Sequence, residues 1–65
     1  MNVYDERQRI ILSEIGMVTL VLLNEQVTIN EFTLVEKLDM EWIIEDNPAR
    51  RGILKDAIKV IQNGR

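Results

Sequence analysis

Ile15-Gly-Met-Val-Thr-Leu-Val-Leu-Leu-Asn-Glu-Gln-Val-Thr-Ile29 admits two readings, and the choice between them decides the fold. As β-structure, residues 18–22 and 26–29 flank Asn24-Glu25 like a short hairpin. The favoured two-residue turns need positive φ at both central positions, hence Gly after Asn, and Glu25 is a poor occupant of that place. As α-structure, the same residues continue a stripe that starts upstream, with Ile11, Ile15, Val18 and Leu22 at i, i+4, i+7 and i+11 on one face. The helix has length and continuity in its favour. It is expected over about residues 5–24, capped by Asp5 or Asn2.

The second half of this helix is apolar nearly all round, since Met17, Leu20, Val21 and Leu23 add to the first stripe, and one neighbouring helix does not cover it. A second buried face is implied. Gly16 costs about 1 kcal/mol relative to Ala in a helix interior, and that cost is offset where the missing side chain lets another backbone come close. A tolerated Gly or a local kink is the plainer alternative.

Downstream, Thr28-Ile-Asn-Glu31 has the form of a capping box and starts a second helix, expected over about 29–45. Phe32, Val35, Leu38 and Trp42 form its stripe, widened by Ile29, Ile43 and Ile44, with Glu36, Lys37 and Glu41 facing water. Asn47-Pro48 then specifies a third helix, about 48–63, because Asn suits the N-cap and Pro the first helical position. Ile53, Leu54, Ala57, Ile58 and Ile61 supply its apolar face, and Gly64 suits its C-cap. The expected fold is a single all-α domain, residues 1–65, of three helices joined by short turns.

A chain of 65 residues with 46% hydrophobic and 29% charged residues has the composition of a folded domain. At this length a core is marginal without disulfide, metal or partner. There is no Cys and no His, so the partner is what remains. A symmetric homodimer is expected, with no stable monomer, and its candidate interface is Ile15, Gly16, Val18, Thr19, Leu22, Leu23 and Trp42. The longest apolar stretch, Ile10 to Leu23, is interrupted by Ser13 and Glu14 and falls short of a bilayer span, which takes roughly 20 residues. The polar, acid-bearing N-terminus is unlike a secretory signal, and a cytoplasmic protein with no membrane attachment is expected.

Catalysis is not expected. Ser13 is the only Ser and has no His to serve as its base. Glu31 with Glu36, and Glu41 with Glu45, are acid pairs that read as solvated faces, since no His and no glycine-bearing calcium loop accompanies them. No metal, cofactor or small molecule is expected. The net charge of −3 hides an asymmetry. Residues 1–46 hold ten acids against Arg7, Arg9 and Lys37, whereas residues 47–65 hold Arg50, Arg51, Lys55, Lys59 and Arg65 against Asp56.

Arg51, Lys55 and Lys59 recur at i, i+4 steps beside Arg50, which makes Arg50, Arg51, Lys55 and Lys59 candidate contacts for phosphates or for an acidic partner. The ordinary reading is a solvated face. Arg50 and Arg51 nevertheless lie in a first helical turn, where the dipole disfavours cations, which points to something other than helix stability; neutralisation by the neighbouring Glu45 and Asp46 is the plainer alternative. Residues 27–38 resemble the first helix of a helix-turn-helix. The residues that follow, Asp39 to Asp46, offer acids and large apolar groups where a recognition helix offers Arg, Lys, Asn or Gln.

Glu6-Arg7 opening helix 1, Ile15-Gly16 before an apolar run ending in Leu22-Leu23, a polar turn with Asn, a Leu-rich stretch near Leu38, and an acid before Arg50-Arg51 and the Ile53-Leu54, Ala57-Ile58 ladder together resemble the YmgB/AriR family of short enterobacterial regulators, which includes YmgA and YcgZ. None of these elements is a catalytic signature. The resemblance implies an all-helical dimer acting as a bacterial two-component connector, which feeds a signal into an Rcs-type phosphorelay and so influences biofilm formation, surface polysaccharide and acid resistance. Its partner would be a signalling protein of that phosphorelay. Family members have also been regarded as Hha-like, non-specific DNA binders, which would make this chain a transcription regulator using the stripe on helix 3. The 65 residues carry neither the N-terminal extension of some relatives nor the basic tail of others, and this takes weight from the DNA branch. An antitoxin or inhibitor that plugs a partner's groove is a further alternative.

Overall fold

All three helices start behind an Asp or Asn side chain that takes the place of a missing helical acceptor. In the computed structural model, which describes residues 5–64, α1 spans Glu6–Asn24, α2 Glu31–Ile44 and α3 Pro48–Asn63. No residue among them is in a strand, so the helical reading of residues 15–24 holds. Asp5 caps α1, accepting from the Gln8 amide at 2.8 Å while the Gln8 side chain accepts from the Asp5 amide. Asn2, the other candidate cap, lies outside the described residues, as does Arg65.

The start of α2 differs from the expected one. Its N-cap is Asn30, whose side chain accepts from the Thr33 amide at 2.9 Å. The Thr33 hydroxyl accepts from the Asn30 amide at 3.0 Å and donates to the Thr28 carbonyl at 2.7 Å. Asn30-x-x-Thr33 thus replaces Thr28-x-x-Glu31, because the Thr33 hydroxyl ties both the cap and the approaching loop. Upstream, α1 closes with the Gln26 amide donating to Leu23 and the Val27 amide to Leu22, a Schellman closure. Its left-handed residue is Gln26, φ 60°, in a place that usually falls to Gly. Asn47 accepts from the Ala49 and Arg50 amides with Pro48 next, as expected for α3.

The core is built from Ile11 and Val18 of α1, Leu38 of α2, and Ile53, Leu54 and Ala57 of α3, with Leu22 also buried. Leu38 and Leu54 are fully inaccessible to water. Ile15, Leu34, Trp42, Ile58 and Ile61 pack around this centre. α3 packs most closely on α2, and α1 with α2 is the loosest pair. The expected α2 stripe needs correction. Phe32 is 72% exposed, and Ile43 and Ile44 are exposed too, while Leu34 takes the inward place. On a helix Leu34, Leu38 and Trp42 share one line at i, i+4, i+8, and Phe32 lies well to one side of it.

Candidate interaction site

The N-terminal turn of α3 is where the three helices are tied together. Arg50 grips Glu14 of α1 with a two-pronged fork, Nε to Oε2 and Nη2 to Oε1, both at 2.9 Å. Its Nη1 reaches Glu45 at 2.6 Å, and Nη2 stands 3.4 Å from Glu41. The Glu14 side chain is only 12% exposed, so this fork works in a drier setting than a surface pair. Glu14, then Glu45, push the Arg50 guanidinium further up from an already high value. The Asn47 amide, then Arg50, hold the Glu45 carboxyl below the usual carboxylate range.

Arg51 has a different task. Its Nη1 donates to the Trp42 carbonyl at 2.8 Å and to the Glu45 carbonyl at 3.0 Å, at the end of α2 where carbonyls lack helical partners. α2 has no basic residue in its own last turn, so Arg51 supplies the cation that a helix C-terminus favours. The guanidinium lies over the Trp42 ring, 4.1 Å from the centroid, and the Lys55 ammonium lies 4.7 Å from it. Cations in the first turn of α3 are therefore explained by what they touch on α1 and α2.

Of the four candidate phosphate contacts, Arg50 and Arg51 are committed to internal partners. Lys55 and Lys59 remain exposed, and among the described residues neither is in an ion pair. The candidate interface residues also divide. Val18 and Leu22 are buried in the protomer's own core, so they have no surface to offer a second copy. Ile15 and Trp42 pack against that core. Thr19, half-buried, spends its hydroxyl on the Ile15 carbonyl at 2.7 Å. Gly16 and Leu23 are exposed, and no atom lies within 4 Å of where a Gly16 side chain would begin.

What the fold leaves uncovered is apolar. Among the described residues thirteen large hydrophobic side chains are exposed, against seven residues in the core, so burial stops well short of the apolar supply. Six of the thirteen are on α1: Ile10, Leu12, Met17, Leu20, Val21 and Leu23. They fall on two sides. Leu12, Gly16 and Leu23 share the outward face with Leu20 at its edge, and Met17 with Val21 line a groove of about 590 Å³ shared with α2. Met40, Ile43 and Ile44 are its α2 side, with the Glu25–Lys37 and Arg50 ion pairs on its rim.

Sequence reasoning missed Glu14 and Met40. Glu14 had a signal, since it and Ser13 alone interrupt the apolar run, and an acid set in such a run calls for a buried cation. Met40 had none beyond its helical position.

Among the described residues no three Asp or Glu side chains are placed to hold a metal ion, and no helix is long and apolar enough to cross a membrane. Fold and surface define a three-helix unit with an ion-paired junction and two uncovered apolar faces. Compared with protein-family models, curated proteins and solved structures, the chain matches none.

Proposed function

We propose that this protein is a non-enzymatic, cytoplasmic interaction module, a small regulator that self-associates through α1 and binds a signalling protein through its remaining apolar surface. The observation that carries the reading is the apolar excess, concentrated on α1 and α2. Exposed apolar area of this extent on a soluble fold marks a surface that binds. The two-fold contact centres on Gly16, with Leu12 and Leu23 on the same face and Leu20 and Thr19 at its edges. Gly16 meets nothing in its own protomer, so its helix cost is offset only by close approach from outside.

The resemblance to YmgB/AriR regulators supplies the class of partner, a protein of a two-component phosphorelay of the Rcs type, and the outputs of biofilm formation and acid resistance. The DNA-modulator alternative loses support from the ion pairs. With Arg50 and Arg51 engaged, the stripe keeps Lys55 and Lys59 as exposed cations, and phosphate binding needs more positive charge than that.

Sedimentation velocity of the purified chain with an arbitrary DNA duplex, at low and moderate salt, tests the choice. The expected result is a dimer that sediments apart from the DNA at both. Co-sedimentation at low salt, released as salt rises and lost in Lys55→Glu with Lys59→Glu, would make the protein a DNA-associated regulator.

A further inference from the structure

The groove between α1 and α2 has features that specify its occupant. Its floor is Met17 and Val21 facing Met40 and Ile44, and Met17, Met40 and Ile44 are each more than half exposed, at 55%, 53% and 74%. From Glu14 to Glu25 the α1 wall runs about 16 Å at the helical rise, which is three turns. Flexible thioethers on both walls suit a surface that moulds itself to another apolar stripe. The Glu25–Lys37 pair, 3.0 Å, closes one end and is neutral. The other end carries Glu14 and Glu41 beside the single Arg50 guanidinium, which Glu45 also engages from outside the groove lining, so the end keeps an excess of negative charge. Glu41 is held most weakly there, at 3.4 Å and 39% exposed.

We propose that the groove seats an amphipathic helix of a partner protein, about three turns long, whose apolar stripe lies on Met17, Val21, Met40 and Ile44 and whose flanks are Lys or Arg, one of them meeting Glu41. This deepens the interaction-module reading and rests on it. Charge selects the occupant. The groove-forming segment, residues 6–44, holds seven acids against three bases. A second copy offering α2 brings four acids against Lys37 and is repelled, and one offering α1, with two acids and two bases, is neutral and brings no excess of positive charge to Glu41. A second copy offering α3 brings cations but, among the described residues, only Val60 as an exposed large hydrophobic, so it has no stripe to seat. A basic amphipathic helix meets both requirements. The groove is also on a different side of α1 from Leu12, Gly16 and Leu23, so a partner helix and a second copy are held at once.

The test uses two fluorescein-labelled synthetic helices of equal length with Leu at i, i+3, i+4 and i+7, one with Lys flanks and one with Glu flanks, titrated with the full chain and read by anisotropy. The Lys helix binds at least about tenfold tighter than the Glu helix, a 1.4 kcal/mol preference. Met40→Asp and Met17→Asp, both at exposed positions that leave the core intact, each weaken the Lys helix by about tenfold or more, the size of an interface anchor. Glu41→Gln narrows the preference between the two helices. Equal binding of both helices overturns the proposal, as does undiminished binding to both Met variants. Dissociation of a wild-type dimer by the Lys helix overturns it too, because the groove is then the self-association surface. A dimer that takes up neither helix overturns the groove proposal and leaves the interaction-module reading standing.

Discussion

α3 is a helix completed within its own protomer, and α1 is not. Ile53, Leu54 and Ala57 bury one face of α3 and its opposite face is polar, with Val60 as the lone large apolar residue exposed among those described. α1 buries Ile11, Val18 and Leu22 to much the same degree, yet leaves six large hydrophobics in water. The two helices serve one core from opposite sides, so the difference is not in how well they fold. It lies in what remains after folding, an uncovered apolar surface on α1 and its neighbour α2.

The sharpest way to break this contrast is a pair of leucines. Leu54→Ala removes a fully buried side chain and is expected to cost about 2–5 kcal/mol, enough to unfold a domain this small at any protein concentration. Leu20→Ala, at a side chain 66% exposed, is expected to lower the thermal midpoint only where self-association contributes, so that mutant and wild type converge on dilution. Calorimetry over a concentration series reads both. A concentration-independent loss in Leu20→Ala would place that face in the protomer's core.

Next in size is Arg50→Ala, expected to cost about 2 kcal/mol in urea unfolding, below the full value for a buried pair because the guanidinium is partly exposed. Lys59→Ala on the same helix is expected to change stability by less than about 0.5 kcal/mol. Equal effects would mean that the first turn of α3 is no more than a solvated face.

Acid provides a gentler probe of the same junction. Glu45 titrates below the usual carboxylate range in the folded chain, so its contribution is complete above the unfolded value, about 4.3, and is lost as pH falls through the lowered folded value. Glu45→Gln is expected to start less stable at neutral pH and to lose less on acidification, as followed by circular dichroism. A steeper acid loss in the variant would contradict the Arg50 cluster.

The smallest effect is at the end of α1. Gln26→Gly relieves a left-handed residue and is expected to stabilise by up to about 1 kcal/mol in thermal unfolding. A destabilisation would show that the Gln26 side chain earns its place in the turn.

Much of the fold was legible from local chemistry. Asp5, Asn47 and Pro48 announce two helix starts, and the Ile11–Leu22 and Ile53–Ile61 stripes identify their inner faces. α2 was read less well, because Thr28 and Asn30 both head plausible boxes two residues apart and only the folded loop shows which hydroxyl reaches two partners. Phe32 shares the three- and four-residue period with its neighbours, so spacing alone does not tell it from Leu34. The basic stripe was legible only in part, since Glu45 is a local acid and does pair with Arg50. Arg50 finds Glu14 from 36 residues away, and no local pattern records that a first-turn cation is spoken for by another helix.

Sedimentation equilibrium of the unmodified chain beside Gly16→Leu decides whether the uncovered apolar face of α1 is a self-association surface. The expected result is a wild-type dimer in the micromolar range and a Gly16→Leu chain that is folded, at least as helical, and monomeric. A wild-type monomer at those concentrations, or a Gly16→Leu dimer of undiminished strength, would contradict it.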